Sequence, residues 1–512
     1  MSEMKKKRIV IAGGGTAGWS AAVILSGQLS NVFDISLVES EAIGTVGVGE
    51  ATIPTIRDFH KMAGVDETEF IKATSATYKL GIRFEGWKTE DESYYHAFGT
   101  TGIDHWSSGF QHFWLGAKEF GENRPYRCYS RESVAASKGK FSSDGDLAYA
   151  YHLDSSLYGK FLRSLSEKRG VDRIEGIIKE VLLDKDDAGI SSLLLEDGRL
   201  IDGDFFIDCT GFRALLIGQA LGVGSEDWSD VLICNRAIAV QTELKGEPVP
   251  YTRSIAHKAG WRWQIPLQHR VGNGTIYSSD HISDDEALSM FLGDIDGEPL
   301  TEPNHIKFLP SMRKKQWYKN CVAIGLSSGF LEPLESTSIH MIQYNLLRLV
   351  RLLALETQSE ASVAEYNRQV EAEIINTRDF LILHYWQNQR SVDEFWERCR
   401  EMEIGDHLRH RVQLFEDSGS VFRHMEDIFT ENSWVQVLLG QGVEPSAYHP
   451  KVKALSGSHV IAMLNRIYSD VEKETDKLPS HGEFLGRYGY TQGNNQGDEA
   501  SNISVSLSVA EG

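Results

Sequence analysis

The order of hydrophobic and polar positions predicts an α/β arrangement from the N-terminus to about residue 337. The segment RIVIAGGGTAGWSAAVILSGQL predicts a strand, a glycine turn and a helix, and DISLVES predicts a second strand. Helices are predicted for IPTIRDFHKMAG, DETEFIKATSATYKL and HLDSSLYGKFLRSLSEKRG. RIEGIIKEVLLD, ISSLLLEDGRLID and GDFFIDCTG predict strands, residues 231–279 are also strand-rich, and 94–144 is predicted to be irregular.

The pattern changes at Ser338, where long helical periodicities begin. Helices are predicted for SIHMIQYNLLRLVRLLALE, VAEYNRQVEAEIINTRDFLILHYWQ and VDEFWERCREM. From about Thr491 the chain is rich in glycine, asparagine, serine and aspartate, a composition typical of disorder. We therefore predict a nucleotide-binding part over 1–337, a helical module over 338–490 and a disordered tail over 491–512.

A glycine loop between the first strand and the first helix has the pattern G-x-G-x-x-G. Its first glycine turns the chain, its second lets a pyrophosphate approach and its third lets the helix pack closely on the strand. Glu39 ends the next strand and can accept hydrogen bonds from ribose hydroxyls. The alternative is a structural glycine turn, but this context favours a Rossmann-type dinucleotide site. Its residues are predicted to be Gly13, Gly14, Gly15, Thr16, Ala17, Gly18 and Glu39.

A second glycine loop, VGVGEATIP, comes directly before a predicted helix. Its backbone at Gly47, Val48, Gly49 and Glu50 can lie against a flat cofactor ring, or the loop can serve packing alone. The later segment FFIDCTGF resembles the strand-to-glycine segment near the end of the FAD domain in flavin hydroxylases, and a buried strand is its alternative interpretation.

Composition narrows the class of function. The 512-residue chain carries a net charge of −21, which disfavours nucleic acid and anionic membranes as partners and favours small-molecule chemistry. Five widely spaced cysteines without a CxxC pair predict neither a disulfide framework nor a zinc site, and they suit a reducing cytoplasm. No apolar run is long enough to predict a membrane span.

Several segments together resemble the flavin-dependent tryptophan halogenases. They are GGGTAG, GVGEATIP, TYKLGIRF, YYHAFG, WRWQIP and FLEPLESTSI, in that family's order. The resemblance implies an α/β, flavin-hydroxylase-like FAD domain with a mainly helical substrate module packed on it. It also implies that a separate reductase supplies FADH2, which reacts with oxygen to a C4a-hydroperoxide. Chloride or bromide would attack that species, and the resulting hypohalous acid would pass through a tunnel to an aromatic substrate.

The resemblance assigns two catalytic residues. Lys79, which the pattern puts at the end of a predicted helix, would hydrogen-bond the hypohalous acid or become a haloamine. Glu335 would orient the oxidant and take the proton from the halogenated ring. The alternatives are a solvated surface lysine and a helix-capping acid.

The resemblance also assigns residues to the halide and the flavin. Thr337 and Ser338 would hold the halide through their backbone N–H groups at a helix N-terminus. The family has glycine where this chain has Ser338, so the fit of the halide is open. Ile178, Leu326 and Ile339 would contact the flavin.

Two further groups of residues surround the predicted substrate site. Trp261, Trp263 and Pro266 would separate flavin from substrate, or the two tryptophans are core residues on one strand face. The other group, His96, Phe98 and Trp434, would contact the substrate ring; a core histidine is the alternative for His96.

The stretch ENSWVQVLLGQGVEP departs from enzymes that act on free tryptophan. It lacks their tyrosine pair and has no acid in a comparable place before Glu444. We therefore expect an indole-like or other electron-rich aromatic substrate without an amino-acid head group. The alternatives are a flavin-dependent aromatic monooxygenase, a halogenase of free tryptophan and a non-catalytic flavin-binding module. The predicted partners are a flavin reductase and the aromatic substrate, with a homodimer as the candidate assembly.

Overall fold

The structure is a computed structural model that describes residues 6–43, 49–105, 108–185, 189–355, 359–391 and 393–491. Gly47 and Val48 of the second glycine loop lie outside the described residues, as does the predicted disordered tail apart from Thr491.

The described strands are numbered in chain order. They are β1 Lys7–Ala12, β2 Phe33–Glu39, β3 Gly49–Ala51, β4 Thr77–Lys79, β5 Gly81–Glu85, β6 Ser93–Ala97, β7 Ala150–Asp154, β8 Asp172–Glu175, β9 Ile178–Leu183, β10 Ile190–Leu195, β11 Leu200–Asp202, β12 Phe205–Asp208, β13 Ser225–Asp227, β14 Arg236–Glu243, β15 Thr252–His257, β16 Gly260–Pro266, β17 Arg270–Tyr277, β18 Asn304–Lys307, β19 Ser311–Arg313, β20 Trp317–Tyr318, β21 Cys321–Ala323 and β22 Gly329–Phe330.

The described α-helices are numbered in the same way. They are α1 Gly15–Leu29, α2 Thr55–Ala63, α3 Glu67–Thr74, α4 Phe110–Lys118, α5 Arg131–Ser137, α6 Ser155–Lys168, α7 Asp284–Asp294, α8 Ser338–Leu353, α9 Glu360–Trp386, α10 Glu394–Glu401, α11 Asp406–Ser418, α12 Glu431–Gly440, α13 Pro450–Lys453, α14 Gly457–Asp476 and α15 His481–Leu485.

A six-stranded sheet carries the predicted dinucleotide site. Its order is β20-β21-β12-β1-β2-β8, and all pairs except β20 with β21 are parallel. The last four residues of β1 are buried, as expected for a central parallel strand. The glycine loop connects β1 to α1, so the predicted strand–loop–helix unit and the α/β fold class are confirmed.

A seven-stranded sheet carries the tryptophan-rich segment. Its order is β18-β14-β17-β16-β15-β5-β6, with β16 in the interior and β6 at one edge. Helix α12 covers that edge, because the Gln436 amide both accepts from the Ala97 N–H and donates to the Ala97 carbonyl, each at 3.0 Å. A side chain thus pairs with backbone groups that an edge strand would leave open.

A small sheet of order β3-β7-β4 carries Glu50 and Lys79. The prediction that Lys79 ends a helix was wrong. Helix α3 ends at Thr74 because Ser75 adopts a left-handed conformation (φ 49), and Lys79 then pairs with Ala150 in a strand.

Two other local predictions need correction. Residues 94–144 are only partly irregular, since β6, α4 and α5 lie in that range. The helix predicted from His152 begins at Ser155, because Asp154 caps its N-terminus by accepting from the N–H groups of Ser156 and Leu157. Residues 152–154 are the end of β7.

The helical part packs closely against the sheets. The two largest hydrophobic clusters each combine side chains from before and after position 337; one joins Ile11 to Leu346 and Tyr366, and the other joins Trp261 to Phe380. The boundary at 337 stays a prediction. None of the described helices has the length and apolar character that a membrane crossing needs.

Candidate active site

Lys79 is completely buried. Its Nζ donates to the carbonyl of Thr52 at 3.0 Å and to Ser336 Oγ at 2.7 Å, and it lies 5.4 Å from the centre of the Phe98 ring. Burial lowers the pKa of Lys79 to about 7, although the negative charge of Glu335 opposes the shift. The alternative of a solvated surface lysine is therefore wrong.

Glu335 is also buried, with only 1% of its surface exposed. Its Oε2 accepts from His96 Nδ1 at 2.7 Å, and its Oε1 lies 2.9 Å from His384 Nε2. Burial alone would raise the pKa of this carboxyl group, but the two histidines outweigh burial and lower it to about 2. Glu335 is therefore an ionised carboxylate inside the protein.

Glu335 does not cap α8. It ends a 3₁₀ turn over Pro333–Glu335, and α8 begins at Ser338 with Thr337 as its N-cap residue. Ser336 between them has a left-handed backbone (φ 60), which is uncommon for a residue with a side chain. This conformation lets consecutive residues face one site, since Glu335 meets the histidines while Ser336 Oγ accepts from Lys79.

Of the three residues predicted to contact the substrate ring, two lie next to Lys79 or Glu335. His96 lies on β6 and is bonded to Glu335, and Phe98, just beyond β6, is close to Lys79. Trp434 on α12 packs edge-on against Phe380 at 4.8 Å. Its indole N–H has no hydrogen-bond partner within the described part of the chain.

Glu444, the first acid after Trp434, does not belong to this site. Its side chain is 84% exposed and lies 4.0 Å from Lys118 at the surface. It is thus in no position to bind a group buried beside Glu335.

The two tryptophans of β16 belong to a cluster of buried aromatic side chains. Trp261 is 1% and Trp263 8% exposed, and their ring centres are 5.9 Å apart. Trp263 lies over Gly274, where a Cβ would fall 2.0 Å from the indole ring. Pro266 at the end of the strand accepts through its carbonyl from Thr77 Oγ1 at 2.6 Å, which connects β16 to the strand of Lys79. Both tryptophans are core residues on one strand; their barrier role stays a prediction.

A second buried carboxyl group lies three residues before Glu335. Glu332 Oε2 accepts from the indole N–H of Trp261 at 3.0 Å and from the hydroxyl of Tyr385 at 2.5 Å. Burial raises the pKa of Glu332 to about 7 in spite of these two hydrogen bonds. One turn therefore carries two acids whose pKa values are shifted in opposite directions, so that Glu335 is ionised while Glu332 keeps a substantial protonated fraction near neutral pH.

The residues predicted to hold the halide lie at the start of α8. Thr337 and Ser338 border an apolar cleft together with Leu326, Phe330 and Met341. No side chain of the described part of the chain caps this helix end, and its first turn has no acidic residue, so its N–H groups favour an anion. Ser338 does not have the positive φ that would favour glycine, so its Cβ imposes no backbone strain.

The glycine loop fits a dinucleotide. Gly13 has φ 101, and a Cβ at Gly18 would fall 2.0 Å from the carbonyl oxygen of Gly13, so neither position tolerates a side chain. Within the described ranges no side chain caps α1 at Gly14, so the N–H groups of the first turn of α1 are left for phosphate. Thr16 and Ala17 follow in the first turn of α1, where the Ala17 Cβ faces Gly325.

Glu39 lies beside this loop, and the other predicted flavin contacts lie on separate elements. Glu39 ends β2, accepts from Trp19 Nε1 at 3.2 Å and pairs with Arg173 at 2.7 Å. Ile178 begins β9, shortly after Gly176 donates to the Glu39 carbonyl. Gly49 and Glu50 lie in β3, where burial raises the pKa of Glu50 to about 7, and Ile339 is a buried residue of α8.

Sequence reasoning missed four residues of the site: Thr52, Glu332, Ser336 and His384. Glu332 had a usable signal, since a second acid in an apolar FLEPLEST segment is unusual for a surface turn. His384 had none, because it lies inside a long helical pattern. No group of three or more His, Cys, Asp or Glu side chains within the described ranges is arranged to hold a metal ion.

Comparison with known proteins identifies the family. The model of the family described as tryptophan halogenase matches residues 8–457. A tryptophan 6-halogenase of Streptomyces albogriseolus, ThaL, is 33% identical over 92% of this chain and 96% of its own length. For the tryptophan 7-halogenase RebH of Lentzea aerocolonigenes the identity is 32%, over 94% of this chain and 98% of that protein.

Solved structures agree with this assignment. A flavin-dependent halogenase from Xanthomonas campestris is 51% identical with a TM-score of 0.93, covering 95% of this chain and 99% of that one. BrvH, a flavin-dependent halogenase from Brevundimonas sp. BAL3, is 40% identical with a TM-score of 0.90, covering 94% and 99%. The chain therefore belongs to the tryptophan halogenase family, whose members are flavin-dependent enzymes that work with a separate flavin reductase.

Proposed function

We propose that this halogenase acts on an indole-like or other electron-rich aromatic compound that carries no amino-acid head group. The observation that carries the proposal is the contrast between two acids. Glu335 is ionised and buried beside Lys79, His96 and Phe98, whereas Glu444 is exposed at the surface. The site thus has groups for the ring chemistry, and the stretch 432–444 offers no acid for an ammonium group.

Lys79 is proposed to activate the oxidant. An ammonium group has three N–H donors, and two of them bind Thr52 and Ser336. The third is available for the oxygen of hypohalous acid, and nearby Glu335 favours the protonated form. Polarised in this way, the halogen becomes a stronger electrophile for an aromatic ring.

Glu335 is proposed to accept the ring proton. The ring's π electrons form the new carbon–halogen bond while the oxygen–halogen bond breaks, and that oxygen leaves as water after taking a proton from the Lys79 ammonium group. The ring C–H bond then breaks, its electrons restore the aromatic system and its proton goes to Glu335 Oε1. Oε2 is already bonded to His96, so Oε1 is the better acceptor.

The glycine loop with Glu39, together with Gly49, Glu50, Ile178, Leu326 and Ile339, is proposed to hold the flavin. Bound FADH2 supplies, with oxygen, the oxidising power that converts a halide ion into an electrophilic halogen. Thr337 and Ser338 are proposed to bind that ion through their N–H groups, and either chloride or bromide suits such a site. Trp261, Trp263 and Pro266 are proposed to keep the substrate away from the flavin.

His96, Phe98 and Trp434 are proposed to select for a flat ring. The zwitterion of free tryptophan would have to be buried without partners, which costs several kcal/mol. A peptide-linked or larger indole avoids this cost when its polar part stays outside. A cytoplasmic location is proposed in keeping with the five free cysteines, and a homodimer is proposed as the candidate assembly.

A substrate series tests the proposal. The value of kcat/KM is measured for indole, 3-methylindole, N-acetyl-tryptophanamide and L-tryptophan, with one reductase and either halide, and products are identified by mass spectrometry. We expect indole and the two neutral derivatives to exceed L-tryptophan. The amide is the control for size, because it is larger than tryptophan but uncharged. If L-tryptophan were the better substrate by tenfold or more, a clamp for its charges must exist elsewhere in the helical part. A hydroxylated product without halogen would favour the monooxygenase alternative.

A further inference from the structure

His384 lies on α9 directly behind the Glu335 carboxylate. It is completely buried, with Nδ1 2.8 Å from the carbonyl oxygen of Phe380 and Nε2 2.9 Å from Glu335 Oε1. A carbonyl oxygen can only accept, so Nδ1 must carry a hydrogen. The other ring nitrogen, Nε2, therefore faces the carboxylate, and it attracts this acceptor-only group only as an N–H donor. The backbone of α9 fixes this orientation of the ring.

The contact between Nε2 and Oε1 is close but not a well-aligned hydrogen bond. Among the described residues neither atom has a partner that meets hydrogen-bond geometry, although the two atoms are 2.9 Å apart. Oε2, in contrast, is bonded to His96 at 2.7 Å. Oε1 thus keeps acceptor capacity while a histidine stands beside it. This is the arrangement that an oxygen taking up a substrate proton needs.

The surroundings of His384 make this contact strong. Its ring is 4.8 Å from Phe84 and 5.2 Å from Phe380, and its own carbonyl accepts from Gln441 Nε2 at 2.6 Å. Charge interactions are weakly screened in such an apolar environment. The ionisable groups that face Glu335 or His384 come from two elements besides α9 and the turn, and they are Lys79 on β4 and Tyr94 and His96 on β6.

We propose that His384 is a positioning residue for Glu335. From α9 it keeps the carboxylate ionised and holds Oε1 in place to accept the proton of the substrate ring. His96 holds the other oxygen from β6, so one carboxylate is fixed between two histidines from separate elements. The inference deepens the proposed function and rests on it, because it assumes that Glu335 takes the ring proton.

The neighbouring residue provides a matched control. Tyr385 is equally buried and follows His384 on α9, but its hydroxyl donates to Glu332 rather than to Glu335. Consecutive residues of one helix therefore each contact one acid of the turn. The variant Tyr385→Phe removes a buried polar contact at the same depth without touching the Glu335 carboxylate.

The experiment compares His384→Asn, His384→Gln and Tyr385→Phe in the full chain with FAD, a reductase, NADH, oxygen and halide. Asn keeps a donor for the Phe380 carbonyl but has nothing at the position of Nε2, whereas Gln places a neutral amide near Oε1. The readouts are kcat and KM, the oxidation of reduced flavin, the pH profile, and the isotope effect with indole deuterated at the halogenated carbon. Circular dichroism and FAD binding verify folding.

We expect His384→Asn to lower kcat by about tenfold or more with KM little changed. Loss of the ring proton should then limit the rate, so a normal deuterium isotope effect appears that the wild type lacks. The acid limb of the pH profile moves to higher pH, because Glu335 is protonated more easily. His384→Gln recovers part of the rate, Tyr385→Phe shows no isotope effect, and flavin oxidation is unchanged in all variants.

Two results overturn the proposal. One is a His384→Asn enzyme with the wild-type isotope effect and pH profile, and the other is an equal loss with equal isotope effect in Tyr385→Phe. If His384→Asn does not fold, the same readouts on His384→Gln decide. The variant Glu335→Gln separates the two levels of inference. When it loses activity and the histidine variants do not, only the role of His384 fails; when it keeps full activity, the proposed role of Glu335 fails as well.

Discussion

Replacing Lys79 by methionine should abolish halogenation and at the same time make the fold more stable. Methionine matches the length of the lysine side chain but carries no charge, and it suits the fully buried position. The lysine is kept at a cost, because its pKa is lowered from 10.5 to about 7 by burial. One pKa unit corresponds to about 1.4 kcal/mol, so the folded state at neutral pH loses on the order of 5 kcal/mol relative to a hydrated lysine.

Part of the stability that Lys79→Met gains by removing the buried charge is lost again through broken hydrogen bonds. The Thr52 carbonyl and Ser336 Oγ would each lose a hydrogen bond from Nζ, at about 1 kcal/mol each. The free energy of unfolding should therefore rise by about 3 kcal/mol near neutral pH. The difference in unfolding free energy between Lys79→Met and wild type must also depend on pH in a defined direction. Between about 7 and 10.5 the unfolded wild type binds more protons than the folded one, so wild-type stability rises with pH and the advantage of methionine shrinks.

The assay is urea unfolding followed by circular dichroism, at about pH 7 and at about pH 9, with FAD at one fixed concentration. Lys160→Met is the control, because Lys160 is exposed on α6; its effect should stay within about 0.5 kcal/mol. A Lys79→Met protein no more stable than wild type at neutral pH, or one whose advantage grows with pH, would refute the reasoning.

Three further outcomes are expected. The variant Lys79→Ala should give no halogenated product while oxygen still oxidises reduced flavin; a yield within threefold of wild type would remove Lys79 from the mechanism. The chain with NADH and FAD but no reductase should produce no halogenated compound by mass spectrometry, and turnover under those conditions contradicts a two-component enzyme. The free energy of unfolding of Glu332→Gln, relative to wild type, should increase as pH rises from 4.5 to about 7. In that range the folded wild type binds a proton at Glu332 that the unfolded chain does not bind, so wild-type stability falls as pH rises. A difference that urea unfolding finds constant with pH would contradict a raised pKa at Glu332.

Much of the cofactor region could be predicted from the sequence. The glycine loop between β1 and α1, Glu39 at the end of β2 and the start of α8 at Ser338 were all predicted from short segments and are confirmed. Glycine spacing and the switch to helical periodicity describe backbone geometry over a few neighbouring residues, so they can be recognised locally. Local patterns were misleading at Lys79, because the helical periodicity of α3 continues in the sequence while Ser75 ends the helix in a left-handed conformation.

The chemistry of the acid pair was decided only by tertiary structure. Glu332 and Glu335 lie on one turn and read alike in the sequence, yet one faces Trp261 and Tyr385 while the other faces two histidines. His96 is 239 residues from Glu335 along the chain, and Lys79 is 257 residues from Ser336. The sequence by itself determined which ionisable groups are available and the local shape of the loops that carry them. The packing of two sheets and α9 decided their neighbours, and those neighbours set each pKa through burial and charge at distances of about 3 Å.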